Sequence, residues 1–307
     1  MTIKDIAKLA DVSVSTVSRV LNDRPDVSED SRRRVRAVIE AHRYVPNNSA
    51  RDLVKIRSDA VGLVVRGVQN PFYTDIIHAI EQKLDASGYT MVMRQIPSGD
   101  DEIQCGAVME KEKRLRGIIF LGGYLVHSEE KLAQLHVPFI LSTTGMLPKG
   151  FSRNTYSSVA VDDTKESYKM VDYLCKNGHK DIAILCARKT DASIGKLRLE
   201  GYKKALKDNG IEVREEQILP MRSDLEDYSL ENGYMVTKEF LEKQIPCTAI
   251  FAISDMLAIG AGKALSDAGY KVPEDISLAG FDGVEIGKYV ICLLYTSPSP
   301  RDGATSR

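Results

Sequence analysis

Apolar residues recur at three- and four-residue intervals through the first forty positions, and beyond residue 59 they gather into short β-prone runs separated by amphipathic stretches. In TIKDIAKLADVSVSTVSRVLN, residues 2–22, Thr2 followed by Asp5 reads as a capping box, and Ile6, Leu9 and Ala10 share a helical face. Asp11, Val12 and Ser13 then interrupt the helix with a tight turn. Ser13 is placed to cap a second helix, whose apolar face is Val17, Val20 and Leu21. A third helix follows Val27 and Ser28, with Val35, Val38 and Ile39 inward and Arg32, Arg33, Arg34 and Arg36 outward. Three such helices, the first two joined by a tight turn, make a helix-turn-helix plan.

The β-prone runs fall at 60–65, 90–93, 117–121, 139–141, 159–161, 182–185, 249–253 and 276–279. Between them lie helices such as 72–86, with Ile76, Ile77, Ile80 and Leu84 aligned, and 255–268, stopped by Gly269. This alternation predicts an α/β body of parallel sheets flanked by helices. Its length favours two lobes, with the change of lobe near 157–163. The expected division is a head at 1–45, a joint at 46–58, lobe 1 at 59–158, lobe 2 at 159–291 and an unstructured tail at 292–307.

Composition narrows the class. With 307 residues, 43% hydrophobic and 28% charged, the chain is globular and too long for one ordinary core. Residues 1–58 carry twelve Lys or Arg against eight Asp or Glu, net +4, while the whole chain is −1, so basic charge is segregated at the N-terminus. That suits a head meeting polyphosphate, although a solvated Arg-rich helix would give the same count. The N-terminus has no secretory core and no apolar run approaches the ~20 residues a membrane helix needs, so a cytoplasmic protein is expected. Cys105, Cys175, Cys186, Cys247 and Cys292 show no CxxC spacing and the five histidines no HxxxH pair, which predicts neither a metal nor a disulfide framework. No cofactor is implied.

The outward side of the second helix is Val14, Ser15, Thr16, Ser18, Arg19 and Asn22, small or hydrogen-bonding groups able to approach base edges and phosphates. An amphipathic helix with a merely solvated face would show the same spacing. In the body, ligands of open parallel sheets bind beyond the carboxyl ends of the strands. Four segments end strands with suitable chemistry: Phe72 and Tyr73 within NPFY, Arg198, the Ser254 and Asp255 pair, and Asp282. An arginine and carboxylates can grip a small polar ligand while an aromatic ring covers it. Each also has a plain structural use, Ser254 as a helix cap and Asp255 as its dipole partner among them. No GxGxxG after a strand, Walker loop, GxSxG elbow or HExxH is present, and His179 follows a helix stop at Gly178, so no catalytic constellation emerges.

IKDIAKLADVSVSTVSRVLN, then Val27-Ser28, then YVPNNSARDL at 44–53, resembles the head and joint of the LacI/GalR family of bacterial transcription regulators. NPFY, RLEGY at 198–202, SDMLAIG at 254–260 and DISLAGFD at 275–282 are similar to that family's effector-site segments. The resemblance implies a dimeric repressor on pseudo-palindromic double-stranded operator DNA, with a small metabolite, such as a sugar, between the lobes. It implies that Ser15 and Arg19 reach bases, that Thr2, Ser13, Thr16, Ser18 and Asn22 meet phosphates, and that Asn47, Ala50 and Leu53 lie in a joint whose leucine wedges into the minor groove. Arg198 and Asp282 match its strongest ligand-gripping positions, and Asp255 a structural or interlobe one. The likeness stops near Tyr289, and CLLYTSPSPRDGATSR reads as a foreign tail that leaves both sheets with an uncovered edge. A transport-type solute-binding protein and a sugar- or nucleotide-processing enzyme are the competing readings of the same body.

Overall fold

Asp5 fixes the start of the first helix: its carboxylate accepts the Thr2 backbone N–H at 2.7 Å and the Thr2 hydroxyl at 2.9 Å. These bonds hold its pKa below the ordinary carboxylate value. The computed structural model describes residues 1–21, 24–42, 59–67, 70–124, 127–144 and 156–289. Asn22, Asn47, Ala50, Leu53, Cys292 and the tail 292–307 lie outside the described residues. Two compact units are formed, Met1–Ser58 and Asp59–Arg307.

The first unit contains α1 (Ile3–Leu9), α2 (Val14–Leu21) and α3 (Glu29–Ala41). Ser13 Oγ accepts the Thr16 N–H at 3.1 Å and Ser28 Oγ the Ser31 N–H at 3.3 Å, so each hydroxyl satisfies a donor that the helix start leaves open. Ile6, Ala7, Ala10, Val17, Val20 and Val35 form the core, with Val38 and Ile39 packed at its margin. Leu9, expected inside, is 53% exposed. The inward stripe of α1 is instead Ile3, Ile6, Ala7 and Ala10, which keeps the i, i+3, i+4, i+7 phase.

The outward arginine face of α3 also needs correcting. Arg32 is partly buried and donates to the Arg24 carbonyl at 2.7 Å. Arg34 reaches back to the Ala10 and Asp11 carbonyls, both at 3.3 Å, and lies 3.1 Å from Asp30. Asp11 has φ +52°, so Arg34 ties down the turn where the backbone is most unusual.

The second unit carries two parallel sheets. Lobe 1 has β1 (Ala60–Arg66), β2 (Thr90–Ile96), β3 (Gly117–Leu121), β4 (Phe139–Ser142) and β5 (Tyr156–Val159) in the order β2-β1-β3-β4-β5. Its helices are α4 (Phe72–Ala86), α5 (Glu102–Lys113) and α6 (Glu129–Leu132). Val64, Ile118, Phe120 and Leu141 fill one side of the sheet. Leu63, Val65 and Leu121 meet Tyr73, Ile76, Ile77 and Ile80 of α4 on the other.

Lobe 2 has β6 (Ile182–Cys186), β7 (Ile218–Pro220), β8 (Ala249–Ala252) and β9 (Ser277–Ala279) in the order β7-β6-β8-β9. The flanking helices are α7 (Asp163–Lys176), α8 (Ile194–Asp208), α9 (Leu230–Glu242) and α10 (Asp255–Asp267). Every residue of β6 and β8 is buried, as strands covered on both faces require. Two differences from the expected strands follow from exposure and length. The run at 159–161 is displaced to Tyr156–Val159, an edge strand in which Ser157, Ser158 and Val159 are exposed and backbone pairing with β4 decides the register. β7 is only three residues long and has no apolar period to announce it. His179 is placed by a side-chain bond to the Thr248 hydroxyl at 3.0 Å. Among the described residues, no helix is long and apolar enough to cross a membrane.

Candidate functional site

In the head, α2 buries Val17 and Val20 and turns Val14, Ser15 and Arg19 to solvent, with Thr16 and Ser18 half-buried. Ser13 Oγ stands 2.7 Å from Ser15 Oγ and 2.8 Å from Thr16 Oγ1, so three hydroxyls cluster at the start of this helix. Arg19 is 3.5 Å from Asp26, with both side chains more than half exposed. Such a pair is weak in water and a stronger anion can replace it. Thr2 is exposed at the start of α1. An outward helix face of hydroxyls and one weakly paired guanidinium offers donors and acceptors of the kind that can contact base edges and phosphates.

The body's candidate site lies where strand ends of both lobes meet. Arg198 occupies the second turn of α8, and that helix is pressed close to α7. A Cβ on Gly201 would come within 2.3 Å of the Thr164 carbonyl, so only glycine permits the approach. Ser167 Oγ donates to the Arg198 carbonyl at 2.6 Å and closes the same contact. The Arg198 guanidinium donates through Nε to Asp163 at 2.8 Å and through Nη1 to Asp282 at 3.4 Å and to the Ile253 carbonyl. It also stacks 3.6 Å from the centroid of the Phe281 ring. Arg198 and Asp282, both expected to face a ligand, thus face each other, with side chains only 5% and 3% exposed.

Asp255 has a different task. Fully buried, it accepts the N–H groups of Phe281 at 2.8 Å, Asp282 at 3.0 Å and Val284 at 2.8 Å, and so shapes the loop that presents Asp282. Its oxygens are committed to that loop, which makes it a positioning residue. Ser254 caps α10 through the Leu257 N–H at 3.4 Å. Burial raises the pKa of Asp255, and the Asp282 carboxylate adds to the rise against the three N–H bonds. Asp163 is likewise pushed up by burial, with Arg198 opposing. One guanidinium therefore serves Asp163 and Asp282 directly, with a third carboxylate behind them.

From lobe 1, Tyr73 is the aromatic residue expected to face the ligand. Its hydroxyl packs where a Cβ on Gly122 would stand 2.7 Å away, at a backbone φ of +73°. Burial raises its pKa, Asp282 raises it further, and Arg198, a hydrogen bond from Thr143 and Arg66 oppose. The Phe72 N–H is held by Asn70 Oδ1 at 3.0 Å and its ring lies 5.7 Å from that of Tyr73.

Sequence reasoning missed Asp163, Phe281 and the lobe-1 group of Arg66, Glu102, Tyr124 and His127. Asp163 and Phe281 sit beside features already singled out, one at a strand-to-helix change and one next to Asp282. An open depression of about 520 Å³ on lobe 2 is lined by Arg188, Met221, Arg222 and Glu239 among others, and neither Arg198 nor Asp282 is part of its lining.

Residues 58–293 match the family described as periplasmic binding proteins and sugar binding domain of LacI family, and residues 2–47 match bacterial regulatory proteins, lacI family. The regulator MalR of Clostridium butyricum is 39% identical over 98% of this chain and 88% of its own length. Catabolite control protein A of Priestia megaterium is 30% identical over 94% of the chain and 85% of its own length. Among solved structures, the lac repressor dimer bound to operator and the anti-inducer ONPF superposes with a TM-score of 0.75 at 26% identity, covering 96% of this chain and 86% of that one. A complex of the regulator CelR with cellobiose gives 0.62 at 27%, covering 94% and 85%. With family matches spanning head and body and relatives of this identity along nearly the whole length, the chain belongs to the LacI family of bacterial regulatory proteins, a transcriptional regulator with a DNA-binding head and a sugar-binding body, and not an enzyme.

Proposed function

We propose that this regulator is a cytoplasmic repressor that binds a pseudo-palindromic operator as a homodimer and changes its hold on DNA when a sugar occupies the cleft between lobes 1 and 2. The observation that carries the reading is the buried pairing of Arg198 with Asp282 beside Phe281 at the strand ends of lobe 2, in a chain whose separate head turns Ser15 and Arg19 outward. A bidentate cation, a carboxylate and an aromatic ring are what a hydroxylated ligand of low charge needs. Ser15 and Arg19 read bases in this proposal. Thr2, Ser13, Val14, Thr16, Ser18 and Asn22 line the backbone contact, and Asn47, Ala50 and Leu53 serve the joint. Phe72 and Tyr73 cover the sugar, Arg198 and Asp282 grip it, and Ser254 and Asp255 hold the walls in place. The solved relatives bound to operator or to cellobiose support both halves of the reading.

The test is a titration of selected operator and random duplexes at fixed salt, with and without sugar. Arg19→Ala is expected to cost about 1–3 kcal/mol on the selected operator and to relax base preference. Unchanged preference would remove α2 from the groove. Asp282→Asn is expected to abolish the sugar's influence while the protein still finds its operator.

A further inference from the structure

The head carries an acid beside the arginine assigned to bases. Asp26 stands 3.5 Å from Nη1 of Arg19, in a segment, residues 1–58, whose net charge is +4. In water this pair contributes little to stability, because both side chains are more than half exposed. Its position is nevertheless built. The Arg24 N–H donates to the Arg19 carbonyl at 3.0 Å, and the Arg24 carbonyl accepts from Arg32 Nη2 at 2.7 Å, so the chain just before Asp26 is tied to α2 on one side and to α3 on the other. Pro25 fixes its own φ. Val27 packs against the head core and Ser28 caps α3. Asp26 thus has anchored backbone before and after it, and the fold rather than the pair itself keeps its carboxylate within reach of Arg19.

A carboxylate near a duplex is repelled by every phosphate, whatever the sequence. Two states of Arg19 differ in how they meet that cost. A guanidinium has five N–H donors in a planar fork, so Nη1 can keep Asp26 while Nε and Nη2 face two acceptors of one base edge, such as N7 and O6 of guanine. The carboxylate then stays neutralised and the guanidinium is held from behind. On a sequence without that edge, Arg19 gains most by turning to the nearest phosphate, which leaves Asp26 unpaired beside the DNA backbone. The repulsion is then felt on wrong sequences alone, and discrimination arises from a penalty on competitors as well as from contact with the target. We propose that Asp26 is a positioning residue that confines Arg19 to base edges and sets the ratio between operator and random-duplex binding. The inference rests on the reading of α2 as the helix in the groove and adds to it the group that makes its arginine selective.

The full chain, wild type and variants, is titrated at one fixed salt concentration with a duplex that the wild type selects from a random pool and with unselected duplex. Asp26→Asn keeps the size of an exposed side chain and so leaves the fold intact. It is expected to tighten unselected duplex about three- to tenfold while changing the selected one less than about twofold, so that the ratio falls about fivefold. Asp26→Glu keeps the charge and should retain most of the ratio. In an Arg19→Ala background, adding Asp26→Asn should leave the ratio where Arg19→Ala alone puts it, whereas an acid acting independently of Arg19 would change it equally in both backgrounds. Equal tightening on both duplexes, equal weakening on both, or a fall in the ratio that persists without Arg19 overturns the proposal while leaving α2 in the groove. If selection enriches no duplex, the groove reading fails as well.

Discussion

Arg34 illustrates how a charged side chain can belong to the fold while looking like surface. Its two bonds to the Ala10 and Asp11 carbonyls join α3 to the turn that aims α2. With its side chain 41% exposed, these bonds are partly screened, so Arg34→Ala is expected to destabilise the head by only about 0.5–1 kcal/mol. Hydrogen exchange should show faster amides in α1 and at the start of α2, with the body unchanged. Operator affinity should fall uniformly across sequences, because the turn is loosened and no base contact is lost. A change of base preference in this variant would instead put Arg34 on the DNA. Asp255 is the body's counterpart: three N–H bonds into one buried carboxylate give the Asp282 loop its shape, whatever ligand comes to it.

At the level of elements, the start of α1 carries a pH dependence of definite sign. Bonds from Thr2 depress the pKa of Asp5 below its ordinary 3.8. A carboxylate with a lowered folded-state value contributes stability that is present above the unfolded value and lost as pH falls through the folded one. Acidification from about pH 4 downward is therefore expected to fray Ile3–Leu9, read by NMR shifts of those residues, and Asp5→Asn should flatten the response. The elements most legible in the sequence were those buried on both faces, such as β6 and β8, where apolar runs are continuous. β5 slipped because its side chains are mostly solvated and its position is set by hydrogen bonds to β4, which leave no apolar mark. Arg198 and Asp282 could be singled out because they follow strands, and the structure brings them together. Arg66 and Glu102 could not. A strand-final arginine and a helix-first glutamate are ordinary surface choices, and only the meeting of three strand ends buries them.

At the scale of the molecule, two separate units must exchange free energy if a sugar is to regulate transcription. A ligand that binds the body stabilises whatever state it prefers, and DNA does the same through the head, so each must alter the other's affinity by one common factor. Allosteric couplings typically run at about 1–3 kcal/mol, or about 5- to 150-fold. Measuring the operator dissociation constant with saturating sugar, and the sugar constant with saturating operator, is expected to give equal factors within that range. If Asp282 grips the sugar as proposed, Asp282→Asn should bring both factors toward one together. Unequal factors would mean that sugar acts by another route, such as changing the number of chains in the assembly, and a dependence on protein concentration would expose it. Equal factors with Asp282→Asn unaffected would keep the coupling but move its origin away from the Arg198 pair, to the polar cluster of lobe 1 or to the contact between Ser98 and Asp227 that spans the lobes.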